Sequence, residues 1–354
     1  MKKIKRYIAT TILKSIVGVL FVILSLDVLS ALIDQLDQLR GGYNFLEAII
    51  YVGLYVPSST YDFLPLSALV GCLLGLGSLA NTSELVVMRS VGVSILQVIW
   101  AVTRPVLLII AGGILLGEYV APYTDQYADS RRALAQGHES AMRIERGVWN
   151  REGNEYMHFN AVLPNGKLYG VTRYIFDEQK NLIEASFVDS AIYQGEGLWI
   201  EQDGVVTYFN QDSVQNSGFT FREWRTEVSP NLLNILVLDA DELPMQRLYS
   251  YSNYLDKQNL DSSEYRLAFW QKALQPLATI SLVVIAISFI LGPLRQVSMG
   301  FRVFVGVLIG LVFQTSQQLL GPVSIIWGFS PMLAVLIPIA CCFVIGGALI
   351  KRAK

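Results

Sequence analysis

The sequence predicts an α-helical membrane protein of six transmembrane helices, with an all-β domain of sandwich or jellyroll type inserted between the third and fourth. Three observations carry this prediction. Of the 354 residues, 53% are hydrophobic and only 16% charged, with a mean hydropathy of +0.43, a balance that a soluble domain of this length does not need. Several apolar runs approach the roughly 20 residues that cross a bilayer as helix. From about Ala121 to Glu264 the pattern changes: charges become frequent and short alternating segments separated by turn residues replace the apolar runs. The formal net charge of -2 hides a second signal, because lysines and arginines gather at the ends of apolar runs instead of forming one patch. That placement sets topology and argues against a nucleic-acid surface.

The basic stretch Met1-Lys2-Lys3-Ile4-Lys5-Arg6 places the N-terminus in the cytoplasm, ahead of a first span from about Ile12 to Ile33. This run is too long for a signal peptide and lacks a small-residue cleavage site, so it is expected to stay as an anchor. Asp27 lies inside it, either as a functional carboxylate or as one wetted near the outer interface. Asp34 to Asn44 is polar. Phe45 to Val56 reads as an amphipathic return segment leading to Pro57, and the second span is expected from about Phe63 to Ala80. Gly71, Gly75 and Gly77 form a small-residue stripe that lets another helix approach closely. The third span runs from about Ile95 to Val120, with Arg104 able to snorkel to the inner face.

Between spans two and three lies a short charged stretch, Asn81 to Gly92, which the parity of crossings puts in the cytoplasm. Asn81 with Glu84 three residues on resembles a capping box, and Gly92 supplies the left-handed residue that commonly ends a helix. Successive residues on a helix advance about 100°, so Glu84 and Arg89 stand roughly 140° apart and do not form an i,i+4 pair. Both are then free for an outside partner; the alternative is that Glu84 only caps and Arg89 only faces headgroups.

The insert is expected to sit outside the cytoplasm, after an odd number of crossings. Its candidate strands are Tyr156 to Leu163, Lys167 to Phe176, Leu182 to Tyr193, Leu198 to Glu201, Val205 to Asn210 and Phe219 to Trp224. Pro164-Asn165-Gly166, Gln194-Gly195-Glu196-Gly197 and Asp203-Gly204 read as turns. Tyr123 to Glu139 is expected as a helical stalk and Pro244 to Glu264 as a helical connector. Three spans follow, about Leu274 to Leu291, Val303 to Leu320 and Pro331 to Ile350. Arg295, Arg302, Lys351, Arg352 and Lys354 mark their cytoplasmic side. The chain thus divides into 1–122, 123–264 and 265–354.

Catalytic and cofactor chemistry has little to stand on. There is no Gly-x-x-x-x-Gly-Lys-Ser/Thr loop to cradle ATP, no His-Glu-x-x-His pattern around His138 or His158, and no Gly-x-Ser-x-Gly elbow. Cys72, Cys341 and Cys342 lie within apolar runs and give neither a disulfide framework nor a metal site. An intramembrane enzyme built around Asp27 is the enzymatic alternative; it needs a second catalytic side chain within hydrogen-bond reach.

Several motifs resemble those of the lipopolysaccharide export permease family (LptF/LptG). They are Asp34-Gln35-Leu36, Ser83 to Met88, Gly117-Glu118-Tyr119-Val120-Ala121-Pro122, Gln275-Pro276-Leu277, Ser288 to Arg295 and Met299-Gly300-Phe301-Arg302-Val303. They span nearly the whole chain. The resemblance implies a non-catalytic permease subunit in the inner membrane of a Gram-negative bacterium, with six spans and a periplasmic β-jellyroll. It also implies a partner permease of LptF type, an ATPase dimer of LptB type that uses the ATP and Mg²⁺, a single-span LptC-type protein and an LptA-type periplasmic bridge. The cargo implied is lipopolysaccharide. No cofactor is implied for this chain itself.

By this resemblance residues of about 82–92 form a coupling helix, with Glu84 as the acidic contact to the ATPase beside Leu85, Met88 and Arg89. The implied lipid contacts are Arg132, Arg131 and Arg40 at the outer mouth, with Phe63, Leu64 and Pro65 as walls of a lipid cavity. The sequence departs from the family where lysines hold lipid phosphates, for it has Ala31, Asp37, Gln38 and Ser58 there; among the remaining cations only Arg132 falls on a matching position. A permease-like protein that relays ATPase motion without moving lipid is the alternative of a different class.

Overall fold

The computed structural model describes residues 2–39, 42–136, 148–163, 167–210, 213–230, 240–258, 260–292 and 297–352. They fall into two compact units, one of Met1–Asp37, Ala48–Ala128 and Ser263–Lys354, the other of Gln38–Glu47 and Asp129–Ser262.

The first unit is helical. Its elements are α1 (Lys2–Leu36), α2 (Phe45–Asn81), α3 (Glu84–Ser90), α4 (Ile95–Leu115), a π turn over Leu116–Val120, and the start of α5 (Ala121–Gln136). After the insert come α7 (Ser263–Leu291), α8 (Met299–Trp327) and α9 (Pro331–Arg352). Among the described residues, six helical stretches are long and apolar enough to cross a membrane, as the apolar runs predict. The segment expected to return toward Pro57 is instead part of α2, which continues through Pro57 and Pro65 for 37 residues. Proline removes the amide that would bond four residues back, so Pro65 leaves the Tyr61 carbonyl without its helical donor. Gln275 on α7 repairs this, its Nε2 donating to Tyr61 O at 3.0 Å. The third span likewise does not end at Val120; the π turn carries it into α5.

Small residues position the helices. A Cβ on Gly71 would come within 2.5 Å of the Ile16 Cα, and one on Gly75 within 2.8 Å of Ile12 Cδ1. The predicted stripe therefore seats α1, whose Ile8, Ile12 and Ile16 repeat every fourth residue and are buried. From α8, Gly306 and Gly310 allow Leu73 and Leu66 of α2 equally close. α2 is thereby enclosed, and its buried face joins α4 and α7 in the core.

The second unit contains a six-stranded antiparallel sheet: β1 (Val148–Glu152), β2 (Glu155–Leu163), β3 (Lys167–Phe176), β4 (Leu182–Gly195), β5 (Leu198–Asn210) and β6 (Ser213–Arg225). Each strand pairs with the next, so the order is a simple meander. The all-β insert is as expected, but the described strands lack the crossovers that define a jellyroll. β1 was not foreseen, and Leu198 to Glu201 and Val205 to Asn210 are one strand. Asp203 does not turn the chain; it sits at φ +52° within a continuous register. Opposite it, across Asp189, stands Gly170 at φ +60°, so the left-handed residues align in a crease across the sheet. The Gln194 to Gly197 turn holds as predicted, with Glu196 and Gly197 both at positive φ as a two-residue type I′ hairpin needs. The turn expected at Pro164 to Gly166 lies outside the described residues.

Met157, Phe159, Leu168, Val171, Val188, Ala191, Trp199 and Trp224 form the core of this unit. Beside it Glu201, fully buried, receives Arg173 at 2.9 Å and Arg222 at 2.6 Å. The two arginines in turn meet Glu155 and Glu184. Burial pushes the Glu155 carboxyl above its ordinary value even with Arg173 beside it. Of the expected Pro244 to Glu264 connector, Met245–Lys257 is helical as α6, and Ser263 already opens α7.

Candidate functional site

The short helix α3 is set off from its neighbours by backbone geometry at both ends. Ser83 adopts φ +59° and breaks the chain away from α2. Gly92 adopts φ +92°, and Val93 N bonds back to Met88 O at 3.1 Å, the six-to-one bond of a Schellman ending. Ser94 then caps α4 by accepting from Gln97 N. Gly92 thus plays its expected part, while Asn81 does not cap α3. It is the last residue of α2, and its Oδ1 accepts from Arg302 Nη2 at 3.0 Å.

Glu84 opens α3. Its Oε1 accepts from the Thr82 hydroxyl at 3.0 Å, and the Tyr7 hydroxyl of α1 faces the same carboxylate. The carboxylate is therefore oriented by its own chain, where spacing alone had left it free. Met88 packs against the transmembrane core. Among the described side chains, Val87 of α3 and Val91 just beyond it, four residues apart, are the exposed apolar ones, at 59% and 74%. The side chains of Leu85 and Arg89 lie outside the described residues.

Arg302 entered the sequence reading as a topology marker and as part of a family motif, with no partner named for it. Wholly buried at the start of α8, it donates to Gly77 O at 2.8 Å as well as to Asn81. A Cβ on Gly77 would stand 2.7 Å from its Nη1, so glycine is needed there to admit the guanidinium. The last turn of α2, which feeds directly into α3, is thus clamped to α8. The signal was an arginine beside an apolar run and, three spans earlier, the last glycine of the small-residue stripe.

At the other end of the spans the expected cations separate. Arg131 forms a bidentate pair with Glu47, Nε to Oε2 at 2.6 Å and Nη2 to Oε1 at 3.0 Å. Its charge is already matched. Arg132 holds Asp129 at 3.5 Å and Gln38 at 3.4 Å. Arg40 lies outside the described residues. Ser58 donates its hydroxyl to Asp125, a carboxylate only 2% exposed. Leu64 is buried and fills the space over Gly113 of α4, while Phe63 and Pro65 are half-buried. Asp27 is half-buried midway along the outer part of α1.

Six apolar helices interrupted by an all-β insert, with a short helix slung between the second and third, define a polytopic membrane permease. Its sequence relations are specific. The chain belongs to the lipopolysaccharide export permease family: the model for "Lipopolysaccharide export system permease LptF/LptG" matches residues 6–352. It is 34% identical over 350 residues to the lipopolysaccharide export system permease protein LptG of Escherichia coli K12, covering 98% of this chain and 97% of that protein. It is 31% identical over 335 residues to LptG of Haemophilus influenzae, 94% of each. The family resemblance read from the motifs is borne out, and both relatives are LptG. Membership makes this a multi-pass protein of the inner membrane of a Gram-negative bacterium.

Proposed function

We propose that this chain is the LptG-type permease subunit of an ATP-driven transporter that extracts lipopolysaccharide from the inner membrane and passes it to a periplasmic bridge. Its partners in this reading are an LptF-type permease, an LptB-type ATPase dimer that consumes ATP and Mg²⁺, an LptC-type single-span protein and an LptA-type bridge. The chain itself performs no catalysis and binds no cofactor. The observation that carries the reading is the family match across residues 6–352.

The mechanism follows from the parts. The ATPase dimer, closing on ATP, binds one arrangement of the two permeases better than the other and so shifts them between arrangements. α3 is the contact through which it does so, with Glu84 meeting a basic groove residue and Val87 and Val91 the apolar floor around it. Because Arg302 ties the end of α2 to α8, displacement of α3 moves two spans together. A cavity between the two permeases then narrows and expels a multi-acyl lipid outward. Arg132 offers the lipid phosphate a charge-assisted contact in exchange for its long contacts to Asp129 and Gln38. On the periplasmic side β6, at the edge of the sheet among the described residues and 13 residues long, gives a second β-protein a template for strand addition.

The test is ATP-driven release of lipopolysaccharide from proteoliposomes containing this chain with its partners, scored by capture on the soluble bridge protein. Release that requires both ATP and this chain supports transport. ATP turnover with full assembly but no lipid released would instead make the chain a relay of ATPase motion.

A further inference from the structure

Near the N-terminal ends of α1 and α4, Lys5, Leu96, Gln97, Trp100, Ala101 and Arg104 line a cavity of about 250 Å³. Its lining carries two cations and no acidic side chain, and neither Lys5 nor Arg104 is ion-paired among the described residues. Gln97, Trp100, Ala101 and Arg104 follow an i, i+3, i+4, i+7 spacing and so share one face of α4. Among the described residues no donor reaches Gln97 Oε1, which is buried there. At the lip stand Trp100 and Leu96, 60% and 63% exposed.

We propose that this cavity binds the headgroup of an anionic phospholipid of the cytoplasmic leaflet, its phosphate between Lys5 and Arg104 and a headgroup hydroxyl donating to Gln97. Each feature selects for part of such a ligand. Two unpaired cations suit a phosphate diester, and the cytoplasmic leaflet supplies anionic lipid at high local density. An exposed tryptophan beside an exposed leucine suits the boundary between headgroup and acyl chain, where an indole ring is half wet and half apolar. A free inorganic phosphate has no use for that lip. The orphaned Gln97 acceptor asks for a hydroxyl donor, which phosphatidylglycerol carries. The lipid so held bridges α1 and α4, whose first residue follows the end of α3 by only a short connection. The inference uses the cytoplasmic assignment of the N-terminus and is independent of what lipid the protein exports.

The experiment uses the full chain with its co-purifying subunits, in nanodiscs of phosphatidylcholine with a minor fraction of phosphatidylglycerol. Native mass spectrometry counts the lipids retained. Expected is preferential retention of phosphatidylglycerol, falling about tenfold or more in Lys5→Gln/Arg104→Gln, since each cation near the surface contributes on the order of a several-fold preference. Brominated phosphatidylglycerol should quench the unmodified protein more than brominated phosphatidylcholine at the same mole fraction, and Trp100→Phe should abolish that difference. This second readout needs no charge variant to fold. Equal retention of both lipids with equal quenching would overturn the proposal. So would displacement of the bound lipid by millimolar inorganic phosphate alone, or a neighbouring subunit occupying the cavity in the assembled complex.

Discussion

Arg302 shows how a single side chain can decide the behaviour of a distant element. Its guanidinium satisfies Gly77 O and Asn81 Oδ1 in a buried site. Arg302→Met removes the donor from buried Gly77 O, which costs about 1 to 3 kcal/mol, while the exposed Asn81 amide turns to water. We expect a lowered Tm and, in the assembled complex, ATP hydrolysis that is no longer matched by lipid release. Unchanged coupling in a folded Arg302→Met protein would show the clamp to be structural only. Glu201 makes the same point in the β unit. With Arg173 and Arg222 both directed at it, Glu201→Gln leaves buried Arg173 and half-buried Arg222 with one carboxylate each and should destabilise the unit by about 3 kcal/mol, read by its thermal unfolding. Sequence reasoning reached neither residue by role. Asn81 looked like an N-cap because Asn followed three residues later by Glu is a capping pattern, yet capping is local while the guanidinium of Arg302 comes from 221 residues away. Long-range polar partners are the part of a fold that spacing does not encode.

At the level of elements, the apolar runs and the strand alternation were legible because burial repeats with the helix or strand period. What misled was punctuation. Pro57 suggested a break, but α2 runs on through it and through Pro65, where in lipid a neighbouring helix supplies the missing donor, as Gln275 does for Tyr61. Asp203-Gly204 suggested a turn, but β5 accommodates the left-handed Asp203 within its ladder. The end of α3 was read correctly because Gly92 requires no partner beyond its own backbone. Gly92→Ala should cost about 1 kcal/mol through its positive φ alone and shorten the life of the assembled state, measurable as faster loss of the ATPase on dilution. Gly71→Leu is a harsher test of helix packing: with Ile16 already within 2.5 Å of a Cβ, α1 must move away, and poor membrane accumulation is expected. In the β3–β4 turn, the Asn181 side chain and backbone N–H hydrogen-bond to Asp177 and hold its carboxyl below the ordinary value. The stabilisation is thus present above the unfolded carboxylate value and is lost as pH falls through the folded one. Faster Asn181 amide exchange at acid pH, after correction for the intrinsic rate, is the expected sign, and Asn181→Ala should remove the pH dependence.

For the whole molecule, the chain's function is a matter of which side each part faces. With Cys72, Cys341 and Cys342 replaced, Ser90→Cys is expected to label from the cytoplasm and Asn216→Cys from the periplasm; labelling of both from one side would invert the scheme. Arg132→Glu is expected to weaken lipopolysaccharide crosslinking while leaving basal ATPase activity measurable, because its loose contacts to Asp129 and Gln38 contribute little to the fold. The claim on which the rest turns is that α3 receives the motor's work through Glu84. The direct measurement is ATPase retention and ATP-driven lipid release for Glu84→Gln and Glu84→Lys, followed by the opposite charge reversal in the ATPase groove. Breaking a desolvated interface pair costs about 2 to 5 kcal/mol, against about 1 kcal/mol for a lost local contact such as that with Thr82. Expected is a graded loss, Lys worse than Gln, with the compensating reversal restoring the Lys variant. Normal assembly and export by Glu84→Lys would contradict it.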